Sequence, residues 1–564
     1  MRDLLASDLL GGGLVWLLEL DLCGRVFRFS SRSIDIIKDG SAISYPGGLA
    51  DSDIDYTERL DRGTIQTSMQ EVSLEVVLPI DAAQARRKGW LAGATAELSL
   101  MPVRAGAALQ SWAGRHVLVT GPVSQPQIGS PSKPSGWLAF SIDGGAEEDR
   151  GRVVPPEARI SAESVLTTWT ITDQVERNFG TPYPIVIGRP GVYRVGGTFV
   201  SQASVTEGTP AYGVHYDTVG SVDGFSVLLI AGHHVACSGT GNEVHVRAKG
   251  EEQGYNFEPV STYDRQGRPI TIVNCPNGSG PSVDWRNADE YWVSWGTSTQ
   301  TSHTAHRNPL GPRPLIGAGD VLRFLLSRSS IPIDHAAWAS VAPYLNALLQ
   351  VSTYYNDPGA TPMAVAEQIL ECLPVSVRRS ADGLYPIIHD HGSAGGLIPL
   401  EQGRELSRVR YLQADTRPGD IATVVSVEYT PRASEGATYL RSITVGTADP
   451  DDAATSATVH TRAGAVSHPG AAVLSISSDV IYDAASAASL ARRRAREVSR
   501  IAWRTVYRVA PDLGWLPVGR AVSLTDAELH ITDQPAEIVG KAWDGTEWAI
   551  DVLFFEDPAR DDRS

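Results

Sequence analysis

Cysteine is scarce in this chain, and the four that occur follow no pairing pattern. Cys23, Cys237, Cys275 and Cys372 are scattered along 564 residues. They lack the close, regular spacing of a disulfide-rich secreted domain and the paired spacing of a zinc knuckle. Cys237 and Cys275 could meet inside one β domain, but buried free thiols are the simpler interpretation.

Long apolar runs are missing as well. No stretch reaches the roughly 18–20 uninterrupted apolar residues that a membrane-spanning helix needs. Near the N-terminus a single arginine precedes the apolar run, which is unlike a secretory signal peptide. The acidic residues that interrupt this run are Asp3, Asp8, Glu19 and Asp21. We therefore expect no membrane span, and we expect folding in the cytoplasm without export by the general secretory route.

Basic residues are too few to balance the acidic ones. The chain has 48 lysines and arginines against 65 aspartates and glutamates, a formal net charge of −17 at pH 7. A groove that binds nucleic acid needs a basic footprint. The charge therefore argues against sequence-specific nucleic-acid binding, and it favours the solubility of a large assembly.

Motifs of common enzymes are absent too. The sequence contains no GxSxG, Walker, HExxH or paired-cysteine motif. One acidic stretch starts like a calcium-binding loop, with Asp51, Asp53, Asp55 and Glu58. In that loop Tyr56 stands where glycine is needed, and Arg62 stands where glutamate is needed. We therefore expect neither an enzyme nor a cofactor.

Turn-forming residues, by contrast, are plentiful. The chain has 54 glycines and 35 prolines, and valine, threonine and serine recur in short runs, a composition that favours β-strands joined by frequent turns. Because a single hydrophobic core stops growing at about 250–300 residues, a chain of 564 residues should hold several domains. The expected fold class is a multidomain, mainly β protein with α+β modules.

Glycine, proline and polar loops divide the chain into five predicted segments. Residues 1–150 are predicted to form a β-rich domain with one helix, and residues 151–215 an extended connector rich in proline and glycine. Residues 216–310 alternate strands and turns and predict a separate β module. Residues 311–400 contain three helix candidates and predict an α+β module. Residues 401–564 return to β patterns and include one long helix.

The order of elements at the C-terminus is the most informative pattern. A helix predicted from about Asp483 to Trp503 leads straight into a strand at Thr505–Val509. After a turn rich in glycine and proline, the chain ends in a predicted hairpin over Glu537–Trp543 and Thr546–Phe555. The dipeptide at 544–545, Asp-Gly, supports this hairpin because a type I′ turn needs positive φ at both central residues.

The predicted helix has an apolar face of small residues surrounded by arginines. The apolar positions recur at three- and four-residue steps: Ala484, Ala487, Ala488, Ala491, Ala495, Val498 and Ala502. The arginines around this face are Arg492, Arg493, Arg494, Arg496 and Arg500. A solvated helix face is one interpretation of them. The other is a subunit interface in which Arg492, Arg493, Arg496 and Arg500 meet carboxylates of the next copy.

Histidine pairs suggest a metal-site hypothesis. His389 and His391 stand at positions i and i+2 of a predicted strand, so both imidazoles could reach one ion. No third ligand is evident, and a polar strand end at Gly392 is the favoured interpretation, so we expect no bound metal. The adjacent His233 and His234 would point to opposite faces of a strand, which favours a structural role.

Aromatic residues cluster between Trp285 and Trp295. Within this cluster Tyr291 and Trp295 have the alternating spacing of one strand face, so core packing is the simpler interpretation. An exposed aromatic surface for a sugar or a receptor is the functional alternative.

The C-terminal pattern resembles the tube-like domain of the central tail hub of tailed bacteriophages, the group that includes the tip protein J of phage lambda. The matching segments are the helix AASAASLARRRAREVSRIAW, the strand RTVYRV, the turn and strand GWLPVGRAVSLTD, and the closing AEIVGKAWDGTEWAIDVLFFED. The layout of residues 1–150 is similar to phage tail-tube and distal-tail domains. The resemblance implies tube-like β-barrel or sandwich domains, with packed helices, in residues 1–150 and 401–564.

The resemblance also implies a structural role in the virion of a siphophage. It implies a homotrimeric hub that closes the tail tube at the tail tip, or baseplate, and opens for DNA ejection. The implied partners are the distal tail protein, the tape measure protein and the fibre, tip or spike proteins, with viral DNA passing transiently. Such a protein is assembled in the host bacterial cytoplasm and is located in the virion.

Three alternatives remain open at this point. One is a hexameric distal tail or adaptor protein of the same tail. Another is a hydrolase of cell-surface glycans or peptidoglycan, which would need a cleft with paired carboxylates. The third is a ligand-binding β protein that uses the Trp285–Trp295 segment.

Overall fold

The computed structural model describes the chain in separate stretches. The described residues are 14–50, 54–60, 63–66, 69–103, 110–144, 158–164, 173–190, 209–217, 224–235, 244–248, 255–274, 291–295, 315–329, 331–355, 362–380, 382–389, 397–416, 422, 424–431, 439–446, 473–498, 501–509, 513–514, 516–543, 545 and 547–555. Within these stretches no helix is both long and apolar enough to cross a membrane.

The N-terminal part forms one half of the largest sheet. Its elements are β1 (Leu14–Asp21), β2 (Val26–Ser30), β3 (Ile34–Lys38), β4 (Ser41–Tyr45), β5 (Ile54–Arg59), β6 (Ile65–Gln66), β7 (Met69–Val77), α1 (Ala82–Arg87), β8 (Thr95–Pro102), β9 (Gln110–Ser111), β10 (His116–Ile128) and β11 (Trp137–Gly144). Strands pair antiparallel in the order β2-β1-β8-β10-β11-β7-β5. β3, β4 and β9 form a small separate sheet.

A closed β-barrel follows in the chain. The elements of this part are α2 (Asp173–Glu176), β12 (Ile185–Ile187), β13 (Thr209–Asp217), β14 (Gly224–Ala231), β15 (Val244–Ala248), β16 (Tyr255–Phe257), β17 (Pro259–Tyr263), β18 (Pro269–Asn274) and β19 (Tyr291–Trp295). The sheet order is β16-β15-β19-β13-β14-β18-β17. Only Glu258 separates β16 from β17, so one extended segment forms both ends of the sheet and closes it.

The next part is rich in helices. Its elements are α3 (Ala318–Ser327), α4 (His335–Leu348), β20 (Thr353–Tyr355), α5 (Pro362–Leu370), β21 (Val375–Ser380) and β22 (Gly383–Ile388). The carboxylate of Asp334 caps α4 by accepting a hydrogen bond from the Ala337 amide at 2.9 Å. β21 pairs with β22, and it also pairs in parallel with β6 from the N-terminal part.

The C-terminal part supplies a small sheet, a helix and the second half of the large sheet. Its elements are β23 (Ile398–Glu401), β24 (Leu406–Arg408), β25 (Gln413–Ala414), β26 (Val424–Pro431), β27 (Tyr439–Gly446), β28 (Val473–Ser477), α6 (Ala484–Val498), β29 (Ala502–Val509), β30 (Ala521–Asp526), β31 (Ile531–Trp543) and β32 (Trp548–Phe555). β31, β32, β29 and β24 are neighbours in that order, and β30 pairs with β31. β27, β26 and β28 form a three-stranded sheet.

The two halves of the large sheet join at β5 and β31. These strands pair antiparallel, with Glu58 opposite Lys541 and Tyr56 opposite Trp543. The result is a 14-stranded sheet built from the two ends of the sequence. Its hydrophobic core combines residues of both halves, including stacked and edge-on contacts of Trp16 with Trp548 and Trp543.

The alanine helix is shorter than predicted and packs elsewhere. α6 ends at Val498, and Trp503 lies in β29, because the aromatic and β-branched residues after 501 pair with β32, where Ala502 faces Phe555. Ala487, Ala491 and Ala495 are fully buried in a core shared with α3, α4 and α5, not in the core of the large sheet. Within the C-terminal part α6 contacts β26 and β27, so it packs on the small sheet and not on the large one. Its packing on a tube-like domain stays a prediction.

The C-terminal hairpin forms, but its loop differs from the prediction. Trp543 pairs with Trp548, so the loop covers residues 544–547 and is longer than the Asp-Gly dipeptide alone. The two indole rings lie 5.1 Å apart between centroids.

The predicted fold class is confirmed: the structure is mainly β, with several sheets and few helices. The five-segment division stays a prediction. In the structure, residues 401–564 contribute to two hydrophobic cores, one under the large sheet and one with the helices.

A glycine in α3 permits the close approach of α4. A Cβ atom at Gly319 would lie 2.5 Å from both the Cα and the carbonyl oxygen of Ala342. In an isolated helix Gly→Ala would gain about 1 kcal/mol, whereas forced overpacking costs about 1–3 kcal/mol. Because backbone atoms cannot move aside cheaply, we expect Gly319→Ala to lower the melting temperature in a thermal unfolding scan. Gly48→Ala is the control, since its Cβ would meet only Phe29 at 3.8 Å, and an unchanged Gly319→Ala melting temperature would contradict the packing argument.

Candidate functional site

Three distant parts of the chain meet at one buried group of polar side chains. We call this group the polar junction and define it as Glu58 on β5, Ser376 and Arg378 on β21, His389 after β22, and Glu537 and Lys541 on β31. All six side chains are buried. Since a buried charge is costly unless it is paired, their contacts decide what the junction can do.

The first contact joins the helix-rich part to the sheet. Glu58 accepts hydrogen bonds from Nη1 of Arg378 and from the hydroxyl of Tyr56, the latter at 2.5 Å. Burial raises the pKa of Tyr56 above its usual range, so this hydroxyl remains a donor. The Glu58 carboxylate thus accepts hydrogen bonds from β5 and from β21, two strands that lie far apart in the sequence.

Lys541 lies opposite Glu58 in the ladder but makes different contacts. Its ammonium donates to the carbonyl oxygens of Gly514 at 2.6 Å and Leu516 at 3.3 Å. The Nζ atom lies 4.4 Å from the ring centroid of Trp548, a cation–π distance. Burial, and secondarily the charge of Arg378, lower the pKa of Lys541 to about 7.

The second contact is a chain of hydrogen bonds through His389. Its Nδ1 lies 2.6 Å from Oε1 of Glu537, and its Nε2 lies 2.7 Å from Oγ of Ser376. With a proton on Nδ1, the imidazole donates to the carboxylate and accepts from the serine hydroxyl. The Gly63 amide donates to the same hydroxyl oxygen at 2.9 Å. Serine, imidazole and carboxylate are therefore connected in the order found in hydrolase triads.

Burial decides whether this serine–histidine–glutamate arrangement can act as a catalytic triad in the folded chain. A nucleophile must reach its substrate, whereas Ser376 is 0% exposed and Glu537 is 1% exposed. The hydroxyl of Ser376 is also occupied by the Gly63 amide. The arrangement connects β21, β22 and β31, and its serine and carboxylate are shielded from solvent by the described residues around them.

Of the two histidines considered as metal ligands, the structure describes only His389. His391 lies outside the described residues, and both ring nitrogens of His389 have hydrogen-bond partners, Ser376 and Glu537. Among the described residues no group of three or more histidine, cysteine, aspartate or glutamate side chains is placed to hold a metal ion. The expectation that no metal is bound stays a prediction.

The arginines of α6 divide into two sets. Arg493 and Arg494 both bind the carboxylate of Glu497, each at 3.0 Å, and Arg494 also donates to the carbonyl oxygen of Glu371 just after α5. Burial lowers the pKa of Arg493, although Glu497 opposes that shift. These two arginines therefore make contacts within the chain.

The second set consists of Arg492 and Arg496. Arg492 is half-buried and Arg496 is exposed, and Nε of Arg492 is shielded from solvent without a hydrogen-bond partner. Arg500 lies outside the described residues. The interface role of Arg492, Arg493, Arg496 and Arg500 stays a prediction.

The other residues singled out in the sequence make hydrogen bonds within the chain, wherever the structure describes them. Nε2 of His233 accepts a hydrogen bond from the Val186 amide at 3.0 Å, and a ring nitrogen of His234 lies 2.8 Å from the carbonyl oxygen of Thr262. Trp295 is buried in the barrel and donates to Oγ1 of Thr209 at 2.7 Å. The candidates outside the described residues are Asp51, Asp53, Trp285, Cys237 and Cys275.

Sequence reasoning missed the polar junction, although a signal was present. In β5 the buried positions alternate, and Glu58 falls on the same face as Ile54 and Tyr56. A charged residue at an apolar position of an alternating strand indicates a buried partner. Nothing in the sequence near Glu58 indicates that this partner is Arg378.

The chain was also compared with known proteins. No family model and no curated protein sequence matches it. It is similar to a solved 43 kDa tail protein of prophage MuSo2 from Shewanella oneidensis, at 11% identity and a TM-score of 0.27, covering 68% of this chain and 95% of that one. A tail protein from Neisseria meningitidis MC58 matches at 9% identity and a TM-score of 0.36, covering 96% and 97%. A chain of the virion of a native gene transfer agent particle matches at 14% identity and a TM-score of 0.37, covering 72% and 90%.

Removing one partner of the Arg378–Glu58 pair should lower the free energy of unfolding more than replacing both partners. Arg378→Met leaves the Glu58 carboxylate buried without its cation, which typically costs about 3–5 kcal/mol. We expect this loss in urea unfolding, and we expect Glu58→Gln combined with Arg378→Met to recover part of it. Arg404→Met is the control, because that side chain is 75% exposed. Equal unfolding free energies for wild type and Arg378→Met would contradict the role assigned to the pair.

Lys541 should make stability rise with pH on the alkaline side. The folded chain releases the proton of Lys541 near pH 7, whereas the unfolded chain keeps it up to the ordinary value of 10.5. Between those values the unfolded state binds more protons, so unfolding free energy increases by up to about 1.4 kcal/mol per pH unit. We expect this slope to disappear in Lys541→Met, measured by urea unfolding at about pH 7 and about pH 9.5. A parallel pH dependence in both proteins would contradict the assignment.

Proposed function

We propose that this chain is a structural protein of a phage tail, the central hub of the tail tip. In this role it closes the tail tube and links the distal tail protein to fibre, tip or spike proteins. The observation that carries the proposal is the joining of the N- and C-terminal β units through β5 and β31. One chain thereby presents two β units side by side in one sheet.

This geometry suits a symmetry mismatch between neighbouring rings. Closed rings form when identical chains repeat head to tail about an axis. Three copies, each with two joined β units, would place six β units around the axis. This number matches the six subunits of a hexameric tube. A chain with a single unit would need six copies to do the same. The fused sheet therefore supports a trimeric hub over a hexameric adaptor.

The order of C-terminal elements also supports the proposal. α6, β29, β30, β31 and β32 follow one another as in the hub-like pattern of the sequence. The helix does not lie on the sheet that follows it, so the support comes from chain order and the joined sheet, not from helix packing.

The remaining parts of the proposal concern partners and location. The tape measure protein would end at the hub, viral DNA would pass through it transiently, and a net charge of −17 would repel that DNA from the wall. The mechanism would be mechanical: receptor contact shifts a bistable packing and opens the channel. Assembly would take place in the host cytoplasm, and the finished protein would be located in the virion.

Copy number tests the proposal directly. Native mass spectrometry of the assembled protein should give three copies of the 60.4 kDa chain. Antibody-labelled particles viewed by electron microscopy should carry the label at the tail tip, around the axis. Six copies would move the chain to the adaptor ring, and absence of label from tailed particles would reject the tail role altogether.

A further inference from the structure

The two ends of the large sheet carry opposite charge. In the strand order of this sheet β2 is the first strand and β24 is the last. We call the cations beside β2 the basic end, and we define it as Arg25, Arg86, Arg87 and Lys88. We call the charged groups beside β24 the acidic end, and we define it as the carboxylates of Glu401, Glu405, Asp526 and Glu528 with the guanidinium groups of Arg404 and Arg408. The acidic end is therefore net negative, whereas the basic end contains cations alone.

At the basic end, cations from two separate elements gather around one tryptophan. Arg25 comes directly before β2, and its guanidinium lies 4.4 Å from the ring centroid of Trp90. Lys88 follows the last turn of α1, and its ammonium lies 4.8 Å from the same ring. Arg86 and Arg87 belong to that last turn. A helix C-terminus favours basic residues, but this preference does not explain Arg25, which comes from a different part of the chain.

The four cations of the basic end are exposed and lack a carboxylate partner. Within the stretches that the structure describes, no ion pair joins any of them to an acidic side chain. Asp21 lies in the same turn as Arg25, but its carboxylate accepts a hydrogen bond from the Gly24 amide at 2.5 Å. Like charges that lie together repel one another, and this repulsion is relieved when a surface of the opposite charge covers them.

At the acidic end, carboxylates outnumber the arginines that bind them. Arg408 binds the carboxylates of both Asp526 and Glu528. The side chains of Glu401 and Glu528 are nevertheless 54% and 67% exposed. A carboxylate has two oxygens and accepts several hydrogen bonds. These two exposed carboxylates can therefore bind further cations without losing their contacts within the chain.

We propose that the basic end of one copy binds the acidic end of the next copy. The inference rests on the proposed function, because the ring supplies the second copy. Such a contact uses different surfaces on the two copies, which is the head-to-tail type that closes rings. Guanidinium groups bind carboxylates through paired hydrogen bonds, which also fix orientation. A second copy satisfies both ends at once, whereas a nucleic acid would satisfy the basic end alone and would be repelled by a chain with a net charge of −17.

Charge reversal at each end tests the proposed contact. Arg25→Glu/Lys88→Glu adds acidic groups to the basic end, and Glu401→Lys/Glu528→Lys adds basic groups to the acidic end. In each variant the two surfaces repel one another, so we expect native mass spectrometry to find monomers where wild type is assembled. A chain with all four substitutions has exchanged the charges of its two ends, so it should assemble again. This rescue separates the loss of a contact from the loss of the fold.

Arg59→Glu/Arg265→Glu is the matched control. It changes the net charge by the same amount as Arg25→Glu/Lys88→Glu, at two exposed positions outside both ends, so it should keep the wild-type mass. Retention of the wild-type mass by both reversed variants, or failure of the fourfold variant to assemble, would overturn the inference and leave the hub proposal standing. Six wild-type copies that separate in both reversed variants would overturn the trimeric hub and support the contact. A monomeric wild type would overturn both.

Discussion

The antiparallel pairing of β5 with β31 is the constraint on which the rest of the structure depends. It turns two β units at opposite ends of the sequence into one sheet of 14 strands. It also places Glu58 next to Lys541 and brings Tyr56 against Trp548. Side chains alternate faces along a strand, so a slip by one residue would turn these groups to the opposite side. The buried polar groups therefore fix the register at the point where the two halves meet.

The contacts of the polar junction are directional, whereas apolar packing is not. The large sheet and the helices have separate hydrophobic cores. Arg378 bridges them by binding Glu58, and His389 does so by binding Glu537 while its other ring nitrogen is held by Ser376. A buried ion pair is weak evidence for stability, because desolvation offsets much of the attraction. Its directional hydrogen bonds allow only one relative placement of β21 and β31. The junction therefore contributes specificity of assembly more than it contributes free energy.

Periodicity and composition were enough to predict the mainly β class, and they failed where distant residues decide the outcome. Alanine spacing up to Ala502 predicted a helix through Trp503, but pairing of Ala502 with Phe555 places that segment in β29. Local sequence shows that Glu58 is a charged residue in an apolar position. It cannot show that the partner is Arg378, because no periodicity connects positions 320 residues apart. The arginines of α6 were visible as a group, yet only the fold shows that Arg493 and Arg494 bind Glu497.

Buried and exposed polar groups have complementary consequences for a ring. The polar junction makes each chain a rigid pair of β units, since its groups are buried and satisfied within the chain. The basic end and the outer carboxylates of the acidic end are exposed, so another copy can bind them without disturbing the joined sheet. Hydrogen bonds and ion pairs can be replaced by water when a joint opens, whereas separated apolar surfaces cannot be compensated in that way. In the proposed hub, polar contacts between copies would therefore open before the buried contacts within each copy.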